Sequence, residues 1–349
     1  MQRWQAWFDG TLADGPLIFV ESPLGFFREE LRPMTLPDNA EKIWTDVDFR
    51  DAGCYNYMIS SFFGGDAVPM YFVNLGPGSI ASYLGSTPLF DNSTVWFGQL
   101  DDNRLENVLE HLEYEPENPY WVLTKEYTRR LLATANGDYH ISITDLGGFL
   151  DILSSLRGAQ NVLMDLIDQP EMVHRCEEKI CDLWIRYFND LIQIFKDSPQ
   201  KGYITWMHLW SENPWYPLQC DISNMISPAM YEEFVMPRLT RTAREIGQAV
   251  YHLDGPGEWQ HLDYILSIPE IKAIQYQSVD TDPPNESSHW LPYYRRIAEA
   301  GKGVFFYVYT QDIEQVYKLS QEMPAERLAF HMWAPSKEDA ETLLKRFNR

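Results

Sequence analysis

The chain has 349 residues, 45% of them hydrophobic, and a formal net charge of −23. That is apolar material enough for one large domain or two ordinary ones. An acidic chain with thinly spread Lys and Arg repels phosphate backbones, which excludes nucleic acid as a partner and disfavours polyanionic substrates.

The start, Met1-Gln2-Arg3-Trp4, has no apolar stretch behind it, and no apolar run is long enough to cross a bilayer. No signal peptide and no membrane are therefore expected, and the location expected is cytoplasmic. The cysteines Cys54, Cys176, Cys181 and Cys220 form no C-x-x-C pair and read as reduced core thiols.

Residues 1–60 read as an irregular N-terminal extension, with a short strand near 16–20 and a mixed stretch at 45–57. From there short apolar runs bounded by Gly, Pro or polar residues predict buried parallel strands over 68–73, 140–144, 203–208, 217–220, 248–253, 272–277, 303–308 and 327–331. Pro217 places the fourth at a strand start at best. Helical spacing predicts helices over 159–166, 170–195, 227–245, 258–267, 290–300 and 310–319. A last helix begins at a capping-box-like Ser336-Lys337-Glu338-Asp339. Strands alternating with helices predict an α/β fold, a (β/α)8 TIM barrel over 61–349 with residues 1–60 packed on it as a single domain overall. A doubly wound open sheet is the rival, and no G-x-G-x-x-G supports its dinucleotide-binding form.

His252-Leu253-Asp254-Gly255-Pro256-Gly257 is the sharpest local signal. An imidazole and a carboxylate two residues apart share one face of a strand, and Gly-Pro-Gly ends the strand just beyond them. In a parallel barrel that C-terminal lip carries the chemistry. His331 ends the last predicted strand in the same way. His208, Trp210 and Glu212 close the third, and Asp221 stands just beyond the fourth. The pairs Gln275/Gln277 and Tyr307/Tyr309 each share a face and would orient a substrate. Asn74-Leu75-Gly76-Pro77-Gly78 can approach a ligand closely through its glycines.

The order and spacing of several segments resemble the uroporphyrinogen decarboxylase superfamily. They are Asn74–Gly78, Gly147–Leu153, Leu156-Arg157-Gly158, Asp168-Gln169-Pro170-Glu171, Asp221–Pro228, Glu232–Arg238, His252-Leu253-Asp254-Gly255, Ile268-Pro269, Ala273-Ile274-Gln275 and Pro335–Leu344. The resemblance implies a (β/α)8 barrel and one of two chemistries, porphyrinogen decarboxylation or corrinoid-linked methyl transfer. The decarboxylases carry an arginine-rich N-terminal loop and an early-strand aspartate; here Phe26-Phe27-Arg28-Glu29-Glu30 and Asn74 stand in those places. The methyltransferases hold zinc by His-x-Cys and a later Cys. His252 matches the histidine, Asp254 replaces the first cysteine, and His331 is the nearest ligand-capable residue to the second. A His252/Asp254/His331 set is a harder, N/O-rich site that holds zinc with an open position, or no metal.

The leading expectation is a methyltransferase that moves a methyl group between a corrinoid such as methylcobalamin, on a partner carrier protein, and a small acceptor or donor. In it Asp221 or Glu212 assists proton movement, and His208, Trp210, Asn74, Gln275, Gln277, Tyr307 and Tyr309 bind substrate. The alternatives are a decarboxylase (a lyase) acting on a porphyrinogen or smaller carboxylate, and a non-catalytic binding protein on the same fold.

Overall fold

The computed structural model describes residues 1–25, 30–308 and 313–348. The apolar runs assemble mainly into one seven-stranded sheet. Its order is Ser61–Gly65, Leu17–Pro23, Leu328–Trp333, Gly303–Val308, Ile271–Gln277, Ala249–Asp254 and Tyr216–Leu218. Every neighbouring pair is parallel except the first, in which Ser61–Gly65 runs antiparallel to Leu17–Pro23. Two further short strands, Met70–Tyr71 and His140–Ile141, pair in parallel, and Ile143 bridges in parallel to Thr205. No strand pairing among the described residues joins that ladder to the seven-stranded sheet, so a closed ring of strands is not shown.

All eight expected strand runs carry strand structure, some over only two or three residues. Two departures follow from pairing rather than composition. Leu17–Pro23 is an inner strand of the main sheet, paired on both sides, so residues 1–60 contribute to the sheet itself. Pro217 lies within Tyr216–Leu218 because that strand is the sheet's last, where one side needs no donor.

Alternation along the strands sorts the core. Leu17, Phe19, Val250, Ala273, Phe305, Tyr307 and Ala329 gather in one buried cluster, joined by Met70 and Ile204 from the short strands. The intervening Ile18, Val20, Tyr251, Leu253, Ile274, Val304, Phe306 and Phe330 pack with the helices in a second cluster. Met70 and Ile204, from ladders outside the seven-stranded sheet, thus pack on its inner face. The N-terminal helix Gln2–Phe8 adds Trp4, Trp7 and Phe8 to that inner cluster. Trp7 lies so close to Gly303 that a Cβ there would come within 2.5 Å of its ring. The helix thus covers the end where the strands begin, and the opposite, C-terminal end carries the polar residues.

The helices follow their predicted spacing. Pro170–Lys196 buries Val173, Ile180, Trp184 and Leu191 on one face. Ser227 caps the next helix, accepting from the Met230 N–H at 3.3 Å. That helix widens into a π turn over Tyr231–Val235 before Met236–Ile246. Pro237 has no N–H to return to the preceding turn, which accounts for the widening. Ser336 caps Lys337–Arg346 through the Asp339 N–H at 3.1 Å. All four cysteines are buried and free. Among the described residues no helix is long and apolar enough to cross a membrane.

Candidate functional site

Ala249–Asp254 places His252 and Asp254 on the inner face of the sheet, and Gly255 turns the chain away at φ +87°. The Nδ1 of His252 meets the Oε1 of Gln275, its register partner on the next strand. Gln275 is fully buried, and its own NH2 group donates to the Tyr276 carbonyl at 2.8 Å. That bond fixes the amide with its oxygen toward the imidazole. Nδ1 of His252 must therefore carry the proton, leaving the Nε2 lone pair open to a ligand. Burial lowers the His252 pKa, with Asp254 opposing the shift, so the ring is neutral near pH 7.

Asp221 completes this cluster: Asp221, His252 and Asp254 each offer a ligand atom within 4.8 Å of the others. The carboxylate of Asp151 holds the Asp221 segment in place by accepting from the Asp221 and Ile222 N–H groups, both at 3.0 Å. Asn224 ties the two loops together, donating to the Asp221 carbonyl at 3.1 Å and to the Asp254 carbonyl. The approach of Asp151 depends on Gly148, where a Cβ would meet its Oδ2 at 2.4 Å and the Gln219 carbonyl at 2.3 Å. A cavity of about 380 Å³ opens beside Asp221 and Asp151, walled by Trp96 and Phe97 and floored in part by Gly78 and Gly147.

The electrostatics of this region are one-sided. Burial, then Asp151, Asp254 and Asp145, raise the Asp221 pKa well above its ordinary value. Burial, then Asp221, Asp151 and Asp254, do the same to Glu258, whose two oxygens find no hydrogen-bond partner among the described residues. Asp145 is pushed up to about 6, mainly by burial. Carboxylates gathered with so little countercharge must take up protons or a cation.

A second cluster lies on other strands. His331 stacks on Phe19 at a ring-centroid distance of 4.6 Å and lies tilted against Trp333 at 4.1 Å. Its Nδ1 lies 2.9 Å from the Nδ1 of His208, and its Nε2 3.2 Å from the Oε1 of Glu21. Tyr57 donates to the other oxygen of Glu21. Burial lowers both histidines to about 3, so both are neutral at neutral pH.

The structure thus divides the expected His252/Asp254/His331 set. Asp221 joins the first two, while His331 belongs with His208 and Glu21. Gln277 stands beside Asp254 in register, and Tyr307 beside His331. Tyr309 lies outside the described residues, as does most of Phe26–Glu30. Asn74 is occupied locally, its side-chain oxygen accepting from the Gly76 N–H at 3.0 Å and its carbonyl accepting from Arg50. Trp210 and Glu212 are corrections. The chain reverses at His208, and Trp210–Ser211 pairs antiparallel with Tyr203–Ile204. Trp210 returns to the strand start, donating to the Lys201 carbonyl at 3.0 Å, and Glu212 bonds through its N–H to Gln5 of the N-terminal helix. Both sit at the end opposite His252.

Sequence reasoning missed Glu21, Asp151 and Glu258. A charge inside the apolar run Leu17-Ile18-Phe19-Val20-Glu21 and an acid inside Phe149-Leu150-Asp151-Ile152-Leu153 were the available signals. Comparison with models of known protein families gives no match, and no curated protein matches the sequence.

Proposed function

We propose that this chain is an enzyme on a (β/α)8 barrel of the uroporphyrinogen-decarboxylase-like type, and that it moves a methyl group between a corrinoid on a partner protein and a small acceptor or donor. The observation that carries the reading is the convergence of Asp221, His252 and Asp254 at the C-terminal ends of their segments. The barrel reading is supported by the inner cluster, in which Met70 and Ile204 of the short ladders join side chains from five strands of the main sheet.

The donor set fits a divalent cation of zinc type with N/O ligands. The Nε2 of His252 is open, and the buried Oδ1 of Asp221 finds no hydrogen-bond partner among the described residues. It does not fit the thiolate-rich version of the site: Cys220 adjoins Asp221 but is buried, and no thiol belongs to the cluster. When bound, such a cation lowers the pKa of the group it holds and makes it nucleophilic. The chain's own groups do the rest. Gln275 fixes the His252 tautomer. Asp151 and Asn224 fix the Asp221 and Asp254 loops. Without a cation Asp221, its pKa raised first by burial, keeps a proton that cation binding displaces. Trp96 and Phe97 offer an apolar wall for a small substrate.

Decarboxylation of a polycarboxylate is the weaker reading, because the acids lining the cavity are Asp151 and Asp221, and Asp145 and Glu258 add further carboxylates near them. The test pairs metal analysis of the purified chain with loss of methylcobalamin absorbance in the presence of small thiols and amines. Zinc-dependent turnover that His252→Ala abolishes is expected. Inertness toward methylcobalamin with the metal loaded, or full activity in His252→Ala, refutes the proposal.

A further inference from the structure

We propose that Glu21, His208 and His331 form a second site for a divalent transition cation of the zinc, cobalt or iron class, independent of the His252 cluster and of the methyl-transfer reading. The three residues come from distant stretches of chain: Leu17–Pro23, the turn after Tyr203–Ile204, and Leu328–Trp333. Each offers a ligand atom within 4.8 Å of the others. Two imidazoles with one carboxylate select a borderline transition ion over magnesium or calcium, which prefer all-oxygen shells.

A hydrogen-bonded relay from Glu21 through His331 to His208 is the competing account of the same residues, and the geometry disfavours it. The Nε2 of His331 lies 3.2 Å from Glu21 Oε1 but is not aligned to bond it, and this fully buried nitrogen has no hydrogen-bond partner among the described residues. The facing Nδ1 atoms of His208 and His331 are 2.9 Å apart. Glu21 Oε1 faces both rings, 3.2 Å from His331 Nε2 and 3.8 Å from His208 Nδ1, so these three atoms surround a point and do not line up as a chain. A cation at that point satisfies all three, and the neutral rings have lone pairs to give it.

The site is also built from outside. Phe19 and Trp333 pack against the His331 ring. Tyr57 orients Glu21 through its second oxygen, the kind of outer partner that fixes a ligating carboxylate. His208 is held at φ +61°, a left-handed conformation that a non-glycine residue adopts only against its steric preference. Its N–H donates to the Thr205 carbonyl at 3.0 Å, so the turn aims the ring inward. Its side chain remains 20% exposed, which leaves a route for an ion.

The experiment titrates the full chain, stripped by chelator, with Co²⁺, reading the visible ligand-field band and the stoichiometry by calorimetry. The variants are Glu21→Gln, His208→Asn (Asn tolerates the left-handed backbone), Tyr57→Phe and, as the control for the other cluster, His252→Gln. Circular dichroism confirms the fold of each. Expected is a cobalt band that survives His252→Gln and that, in the His252→Gln background, weakens about tenfold in Tyr57→Phe and is lost by more than about a hundredfold in Glu21→Gln and His208→Asn. Binding that disappears only in His252→Gln, or that Glu21→Gln and His208→Asn leave unchanged, overturns this site and leaves the His252 centre standing. Absence of any cobalt binding overturns both.

Discussion

Asp221→Asn gives the most direct measure of what the first cluster is for. The ligand atoms of Asp221 and Asp254 lie within 4.8 Å, so two ionised carboxylates there repel by at least about 3.5 kcal/mol at an effective dielectric of about 20. Without a cation the protein escapes this by keeping a proton on Asp221, whose pKa is raised first by burial and then by Asp151 and Asp254. The folded state then holds that proton where the unfolded chain has released it. Stability therefore falls as pH rises from the ordinary carboxylate value through the raised one. An amide removes the titration. At pH 4 the variant and the parent should be equally stable; at pH 8 the metal-free variant should be more stable by about 3 kcal/mol. For a chain of 349 residues, unfolding entropy of about 2.1 cal/mol/K per residue makes this a Tm rise of roughly 4 °C. Zinc should act in the opposite sense. At about 100 times Kd a site adds about 2.7 kcal/mol to the native state, and the variant loses that increment from the His252 cluster. Thermal and urea unfolding at both pH values, with and without zinc, read all four quantities. A metal-free variant no more stable than the parent at pH 8, or an undiminished zinc increment, refutes the reasoning.

Four further outcomes follow from particular contacts. Gln275→Leu leaves the His252 N–H buried without its acceptor, and should cost about 1–3 kcal/mol in urea unfolding and about 10- to 100-fold in cation affinity by calorimetry. Gly148→Ala drives a Cβ to within 2.3 Å of the Gln219 carbonyl, which as backbone cannot swing aside; a loss of about 1–3 kcal/mol and a weakened Asp221 cluster are expected, and an unchanged urea midpoint would contradict the packing. Glu177 is buried and its pKa is raised to about 8 from 4.5, so the folded state keeps a proton the unfolded chain loses and stability drops across that window. Glu177→Gln should match the parent at pH 4 and exceed it by up to about 5 kcal/mol by pH 8, whereas a flat difference across the pH series would show that burial does not control this group. Glu212→Ala, exposed at the far end of the sheet, should leave cation binding within about twofold by calorimetry, and a larger change would reopen its assignment.

Local pattern carried the strand runs and the long helix because apolar periodicity is a property of consecutive residues. Val173, Cys176, Ile180, Leu183 and Trp184 read as one helical face, and they form one. The His252/Asp254 pair was legible for the same reason, since both sit on one strand. Asp221, His208 and His331 stood out as candidates by residue type and place, but Glu21 did not, and which of them meet is set by pairing and loop ties that no spacing encodes. The reversal at His208 is the instructive failure. The residues Trp206-Met207-His208-Leu209-Trp210 contain no Gly, Pro or Asn to signal a turn. A histidine fills the left-handed position that those residues would normally take, so Trp210 and Glu212 read as a continuation of the strand when they run back along it.

The same register explains why there are two clusters. His252 pairs with Gln275, Gln275 with Phe305, and Phe305 with Ala329. His331 stands two residues beyond that row, in the next inward layer, where Tyr307 is its partner on one side and Phe19 on the other. Three strand spacings of about 4.8 Å separate the two histidines along the sheet. Trp206 and Tyr307 fill the interior between them: the Trp206 ring stands edge-on to His252, and the Tyr307 hydroxyl donates to the Trp206 carbonyl at 3.2 Å while its ring lies against His331. A binuclear centre needs its ions about 3.5–4 Å apart, and this aromatic partition prevents that. Two cations bound here would therefore act separately. Replacing Trp206 by a small residue would remove the partition, and it is the substitution by which coupling between the sites could first arise.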